Sequence, residues 1–293
     1  MGKIPAPAPG VYAGVPFETY LAWDAASQSQ LKELARSPAH FRAALEAPDE
    51  DTDALRIGRA VHCAVLEPEE FKNPDRFGVL PHGNDRRTKE GKARWEAIVS
   101  RGATPIKRAE WDDVVAIAAA LRAHGAAGVL LNADGPCELS LVWDDPETGI
   151  RCKARHDKHA HAVGGGVILD VKTTTDADAS EFERAVFNFG YHRQGAFYLR
   201  GAKALEMPVE HYAILAVEKE APYAVAVFRL NEGALDAGDA EVGALLRRLA
   251  RCRTREEWPA YPGVHDLALP DWAWAVSDRL VKRIGQEVGE AVA

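Results

Sequence analysis

Arg155-His156-Asp157-Lys158, a short gap, then Val167-Ile168-Leu169-Asp170-Val171-Lys172-Thr173-Thr174 is the stretch on which the reading of this 293-residue chain turns. The spacing predicts two strands joined by a turn. Gly164-Gly165-Gly166 supplies the reversal, as a hairpin or a slightly longer loop. The second strand is an apolar run that ends by presenting an acid and a lysine. Side chains alternate across a strand, so Asp170 and Lys172 share one face and Val171 takes the other. If the two strands pair, Asp157 comes close to Asp170.

Two carboxylates and a lysine at one strand end suit metal-dependent hydrolysis of a phosphodiester. Mg²⁺ is a hard cation that takes carboxylate, water and phosphate oxygens. In two-metal hydrolysis the ions sit roughly 3.5–4 Å apart and stabilise the attacking and leaving oxygens. A neighbouring lysine can position water, help deprotonate it, or neutralise charge on the scissile phosphate. An Asp-x-Lys tripeptide by itself also occurs on ordinary surface hairpins, so its neighbours carry the weight.

Composition narrows the classes. With 47% hydrophobic residues, 27% charged and 7 Trp, the chain can bury a substantial core and is globular. No apolar run is long enough to span a bilayer, and Met1 to Pro9 lacks the basic start and apolar stretch of a secretory signal. A cytoplasmic protein is expected. Cys63, Cys137, Cys152 and Cys252 are scattered and form no Cys-x-x-Cys pair, so reduced, mostly buried thiols are expected rather than a zinc or iron–sulfur site. A formal net charge of −8 argues against non-specific coating of nucleic acid. It leaves room for a nuclease, whose acidic metal centre can coexist with a local basic channel.

Along the chain, residues 1–10 are Pro/Ala/Gly-rich and read as a flexible arm, and 11–293 as a single domain. Within it, 11–135 is helical, 136–230 is the core, and 231–293 returns to helices. Ser27 caps a helix that Ser37-Pro38 ends; a second begins at Pro38, and an acidic loop covers 48–53. Residues 57–66 have helical periodicity, with Gly58 and Ala60 permitting close packing. Residues 72–92 are polar and basic, and helices follow over 93–101 and 110–123. Strands are expected over 137–143, 150–157, 167–171, 211–217 and 223–229. One helix is expected over 179–205, another over 231–251, and a helical tail from Trp272. The order predicts a mixed α/β core, a central mixed sheet flanked by helices, behind a helical amino-terminal section.

Further residues line up with the Asp157/Asp170/Lys172 set. Arg59-Ala60-Val61-His62 places a histidine on a small-residue helix, Glu138 opens the first strand of the meander, and Gln194 and Tyr198 share a helix face. With Gly58 to His62, Leu66-Glu67-Pro68-Glu69-Glu70-Phe71, Arg86 to Lys92, Cys152 to Lys158, Asp170 to Thr174, and Tyr191 to Gln194 with Tyr198, the chain resembles the PD-(D/E)XK nucleases of the RecB-type branch. The similarity is greatest to RecE/exonuclease VIII-like phage and prophage exonucleases, and it extends from about Val11 to Ala221.

That resemblance implies a restriction-endonuclease-like core and a Mg²⁺-dependent exodeoxyribonuclease, with Mn²⁺ able to substitute. The enzyme would degrade double-stranded DNA from its ends, 5′→3′, for recombination, as a ring-shaped homo-oligomer with a single-strand annealing partner. It implies a catalytic set of His62, Asp157, Asp170 and Lys172, with Glu138 organising the site. The metal would be held by His62, Asp157, Asp170 and the Val171 carbonyl. DNA would meet Arg86, Arg87, Lys89, Lys92, Arg155, Gln194 and Tyr198. The cluster-forming cysteines of iron–sulfur relatives are missing, so that cofactor is not expected. RecB-like nucleases of other polarity or single-strand preference, and a catalytically silent nucleic-acid-binding module, are the competing readings.

The residues alone leave alternatives. His62 reads as a site residue or a satisfied core histidine, Glu138 as a ligand or a surface acid, and Gln194/Tyr198 as a DNA contact or helix packing. The Arg86–Lys92 run reads equally as a phosphate contact or a solvated loop. His159 and His161 alternate with Asp157 like zinc ligands, but their place before a glycine-rich turn predicts an exposed loop.

Overall fold

Side-chain caps mark several helix starts in the amino-terminal half of the computed structural model, which describes residues 3–47, 52–81, 87–161 and 165–290. Two short strands, β1 (Ile4–Pro5) and β2 (Gly10–Tyr12), precede α1 (Phe17–Ala22) and β3 (Trp23–Asp24). The described part of the expected arm is therefore paired: β1 lies parallel to β3, and β2 runs antiparallel to a later strand, with Val11 opposite Leu141. α2 (Gln28–Arg36) begins where Gln30 Oε1 accepts the Ser27 amide at 3.1 Å. α3 (Pro38–Glu46) begins where the Ser37 hydroxyl accepts the His40 amide at 3.2 Å. Thr52 caps α4 (Asp53–Leu66) through the Leu55 amide. Each bond satisfies an amide near a helix start that has no partner within the helix.

After the short α5 (Pro68–Phe71) comes a small lobe of β4 (Phe77–Leu80), α6 (Lys89–Ser100) and β5 (Thr104–Lys107). β4 and β5 pair in parallel; β4 lies in the 72–92 stretch read from the sequence only as polar and basic, and no strand was expected at either place. α7 (Arg108–Ala123) and α8 (Gly125–Asn132) then lead to the central strands.

Those strands are β6 (Cys137–Asp144), β7 (Arg151–Ala160), β8 (Val167–Thr174), β9 (His211–Glu218) and β10 (Val225–Arg229). With β2 they form a sheet in the order β10-β9-β8-β7-β6-β2. β6, β7 and β8 make an antiparallel meander, whereas β8 and β9 are parallel. A parallel neighbour needs a crossover, here α9 (Ala179–Phe189) and α10 (Tyr191–Ala204). The expected single helix over 179–205 is thus two. Gly190, at φ 73°, ends the first in a left-handed conformation that glycine adopts without a Cβ clash.

Period-two alternation sends Leu169 and Val171 against Val61 of α4 and Ile117 and Leu121 of α7. Ile168 faces the other way, toward Phe182 and Ala202. On that second side, Leu141 and Trp143 pack with Phe197, and with Leu246 of α11 (Glu232–Arg255). Helices on both faces explain why β8 and β9 read as continuous apolar runs. The mixed sheet and its flanking helices are those expected from the sequence.

The chain divides into two compact units, Met1–Trp258 and Pro259–Ala293, where a single domain over 11–293 was expected. The second contains α12 (Asp271–Glu290), the helix foreseen from Trp272. Among the described residues, no single helix is long and apolar enough to cross a membrane.

Candidate metal centre and active site

The β7–β8 ladder pairs Lys158 with Leu169, His159 with Ile168 and Ala160 with Val167. Carried on by one residue, that register sets Asp157 opposite Asp170. The backbone ladder ends at Lys158 and Leu169, and Asp157 Oδ2 accepts the Val171 amide at 2.7 Å. A side chain has taken over a backbone donor that the partner strand would otherwise satisfy.

On the other side of β7, Cys137 pairs with Lys158 and Leu139 with His156, so Glu138 falls opposite Asp157. Glu138 has φ 53°, a left-handed conformation that is costly for a residue with a Cβ and persists only where surroundings enforce it. Arg155 holds the Glu138 side chain. Its Nε donates to Glu138 Oε2 at 2.5 Å, while Nη1 donates to the Val15 carbonyl at 2.8 Å and to Ser140 Oγ at 3.1 Å. The Arg155 side chain is only 13% exposed, and its Nε and Nη1 donate within the protein.

His62 arrives from α4, whose Ala60 and Val61 are fully buried beneath it. Ala60 is fully buried and lets that helix approach the sheet closely, whereas a Cβ at Gly58 would meet open space, so the expectation of close packing holds for Ala60 and not for Gly58. His62 Nδ1 lies 3.4 Å from Asp157 Oδ2. His62, Glu138 and Asp157 each bring a ligand atom within 4.8 Å of the others, the one such metal-competent group among the described residues.

Asp170 carries the second half of the site. Its Oδ1 accepts Gln194 Nε2 at 2.7 Å, and Gln194 Nε2 also donates to Tyr198 Oη at 3.2 Å. Lys172 Nζ sits 2.5 Å from Asp170 Oδ2, as expected for residues two apart on a strand. Lys172 is the partner of that buried oxygen, so a cation bound there would share it with the lysine. The donor set is carboxylate oxygen with one imidazole, which fits Mg²⁺ or Mn²⁺ better than a thiolate-seeking metal.

The charges sustain one another. Burial raises the Asp157 carboxyl, and Asp170 adds to the rise while His62 opposes it. Burial alone would lower the Lys172 amine, but Asp170 and Asp157 outweigh it and raise it. The amine keeps its proton.

The histidines differ from the sequence expectation. His159 is not on an exposed loop: β7 continues to Ala160, and His159 is buried. Its Nε2 lies 2.5 Å from His156 Nδ1, and the two rings stack at 4.8 Å. Residues three apart lie on opposite faces of a regular strand, so β7 changes face around Asp157. His161 is exposed and does not join His159 in a ligand group among the described residues. Burial lowers His159 to about 4.

Of the basic run, Arg86 lies outside the described residues. Arg87, Lys89 and Lys92 are exposed at the start of α6, in the small lobe against β4 and β5. Two features escaped the sequence reading. Arg155 orients Glu138, although its cross-strand position two residues before Asp157 was a usable signal. Tyr191, one helical turn before Gln194, sets its ring 5.2 Å from Lys172 Nζ.

The sequence matches, over residues 27–268, the family described as "PDDEXK-like domain of unknown function (DUF3799)". The fold is similar to that of a candidate exonuclease from Eubacterium rectale, with a TM-score of 0.59 and 16% identity over 88% of this chain and 96% of that one. An alkaline exonuclease from Laribacter hongkongensis aligns over 69% of this chain and 95% of its own at 11% identity, but its TM-score of 0.28 is too low to carry weight. No curated protein matches the sequence.

Proposed function

This chain belongs to the PDDEXK-like domain family, and we propose that it is a Mg²⁺-dependent exodeoxyribonuclease that degrades double-stranded DNA from its ends. The observation that carries the reading is the meeting of two sets at one point. The His62/Glu138/Asp157 group and the Asp170/Lys172 pair adjoin where β7 and β8 part, joined by the bond from the Val171 amide to Asp157.

His62, Glu138, Asp157 and Asp170 would hold the cation, with the Val171 carbonyl as a further oxygen in reach of the same backbone. When bound, the ion supplies Lewis-acid stabilisation of charge on phosphate and on the attacking oxygen. The chain's own residues do the rest. Arg155 fixes Glu138 and Gln194 fixes Asp170, so neither carboxylate must reorganise during the reaction. Lys172, held protonated by two acids, offers a fixed positive charge to the scissile phosphate. Arg87, Lys89 and Lys92 present exposed cations for the phosphate backbone.

Duplex ends as substrate, 5′→3′ polarity, a role in recombination, a ring-shaped homo-oligomer and an annealing partner rest on the resemblance to RecE-like exonucleases. Linear duplexes labelled at the 5′ or 3′ terminus test the substrate and polarity. The proposal expects early release of 5′ label with Mg²⁺ and nothing in EDTA. Early release of 3′ label alone reverses the polarity, and cutting only of single strands removes the duplex-end assignment.

A further inference from the structure

Val242 to Arg255 of α11 holds five arginines, Arg247, Arg248, Arg251, Arg253 and Arg255, and no acid. Four residues make just over one helical turn, so Arg247, Arg251 and Arg255 stand in one row about 12 Å long. All three are exposed, while Leu245, Leu246, Leu249 and Cys252 take the buried side.

Little inside the protein uses that row. Arg247 pairs with Glu147 at 2.8 Å, but both side chains are half exposed, where an ion pair contributes little and exchanges readily. Arg248, beside the row, donates to the Leu34 carbonyl at 3.1 Å. Arg251 and Arg255 make no hydrogen bond or ion pair among the described residues. Cations at a helix C-terminus complement its dipole, but that effect is confined to the last turn. Arg247 and Arg251 lie before that turn.

The helix that carries the row starts beside the candidate site. A Cβ at Gly238 would collide with the carbonyl of His192 in α10, two residues before the Gln194 that bonds Asp170. Gly243 lies against Arg200 further along α10, and Arg247 reaches Glu147 in the turn between β6 and β7. At a rise of about 1.5 Å per residue, the row extends from about 14 to about 26 Å beyond Gly238. That is the length of about 4 to 8 base pairs. Guanidinium groups, each offering paired donors, suit the oxygens of a phosphate backbone. The path from the site along α11 favours the substrate itself over an acidic protein segment.

We infer that the Arg247–Arg251–Arg255 row is a second phosphate-binding surface, holding the duplex backbone about 4 to 8 base pairs behind the end seated at the Asp170/Lys172 site. This rests on the nuclease reading of the site and adds the side of the protein that the undigested duplex follows.

The test uses the full-length chain and labelled hairpin duplexes of about 20 base pairs with one free end. In one duplex the linkages about 4 to 8 base pairs from that end are uncharged methylphosphonates, and in another those about 14 to 18 away. Binding is read by fluorescence anisotropy in the Asp170→Asn background, which blocks hydrolysis, and turnover in its absence. Arg251→Gln/Arg255→Gln should bind the ordinary duplex roughly 10- to 100-fold more weakly at low salt and flatten the log affinity–log salt slope by about 2. It should lose much less on the duplex neutralised near the end, because the two changes remove the same contacts, and the full amount on the other. Arg251→Lys/Arg255→Lys should keep most of the slope, and kcat at saturating DNA should not change in either variant. Wild-type affinity and slope in a folded glutamine variant, while the wild type cleaves DNA, overturn the second surface and leave the nuclease reading standing. Equal losses on all three duplexes place the arginines' effect elsewhere and also overturn it. Loss of binding to a polyglutamate probe with DNA binding intact assigns the row to an acidic protein and overturns it too. A wild type that neither binds nor cleaves DNA overturns both readings.

Discussion

Asp157 accepts the Val171 amide with the same oxygen that lies 3.4 Å from His62, so one carboxylate both ends a strand pairing and builds the site. Replacing a charge that would meet the cation or phosphate removes stabilisation present only in the transition state. Asp157→Asn, Asp170→Asn and Lys172→Met should each lower kcat by at least about 10²-fold, with far-ultraviolet circular dichroism unchanged. Wild-type turnover in any of the three would remove that residue from the machinery. Arg155 makes a subtler case. It touches Glu138 rather than the cation, and outer partners of this kind typically change metal affinity by about 10–100-fold. Arg155→Met should weaken Mn²⁺ binding by that range in calorimetric titration, and rescue by Arg155→Lys should be incomplete because a lysine cannot reproduce the three-way fork. Unaltered Mn²⁺ affinity would mean that Glu138 keeps its place without help. The acids and the lysine were legible because alternation fixes which side chains share a face. The bond from Arg155 to Glu138 was not legible, because a bare sequence does not say which way an arginine spends its donors.

Among the elements, the β7–β8 pair was foreseen and the break between α9 and α10 was not. A glycine triplet between two apolar strands has few readings, whereas one glycine inside an amphipathic run is compatible with a continuous helix. The register from Gly165 onward then left no room for an exposed His159. The parallel pairing of β4 with β5 was hidden because each strand is four residues long and the partner lies beyond a whole helix. A buried ion pair ties that lobe to the core: Arg56, with a side chain 2% exposed, donates to Glu110 at 2.8 and 3.1 Å and to the Pro105 carbonyl at 3.0 Å. Burial pushes the Glu110 carboxyl up, but Arg56 and Lys107 overcome it and bring it down to about 2. A carboxyl depressed on folding adds stability above its ordinary value of 4.5 and loses it as pH falls toward about 2. Allowing for solvent screening, the contribution is about 1–2 kcal/mol. The melting temperature of the wild type should fall faster from pH 5 to pH 2 than that of Glu110→Gln, and parallel curves would contradict the assignment.

At the scale of the whole molecule, a chain of net charge −8 must bind a polyanion through local cations. Lys89 and Lys92 are exposed on one helix start of the small lobe. Each lysine that contacts a phosphate releases counterions, so losing two should flatten the dependence of log affinity on log salt by about 2. Lys89→Gln/Lys92→Gln should therefore weaken duplex binding across sequences and reduce that slope, as read by fluorescence anisotropy from 50 to ~200 mM salt. An unchanged slope makes the run a solvated surface. Composition marked the chain as globular, and the order of its helices and strands supplied the fold class. Neither said anything of the boundary after Trp258, because the Pro-rich stretch before α12 resembles any surface loop. The central claim is that the acids around β7 and β8 hold a divalent cation for phosphodiester hydrolysis. It is tested most directly by titrating Mg²⁺ into wild-type and Asp170→Asn protein with an end-labelled linear duplex and counting released nucleotides. The account predicts saturable, Mg²⁺-dependent release by the wild type, abolished by EDTA, restored by Mn²⁺ and absent from the variant. Equal release by both proteins, or none from any duplex or single strand by a folded wild type that binds Mn²⁺, would contradict it.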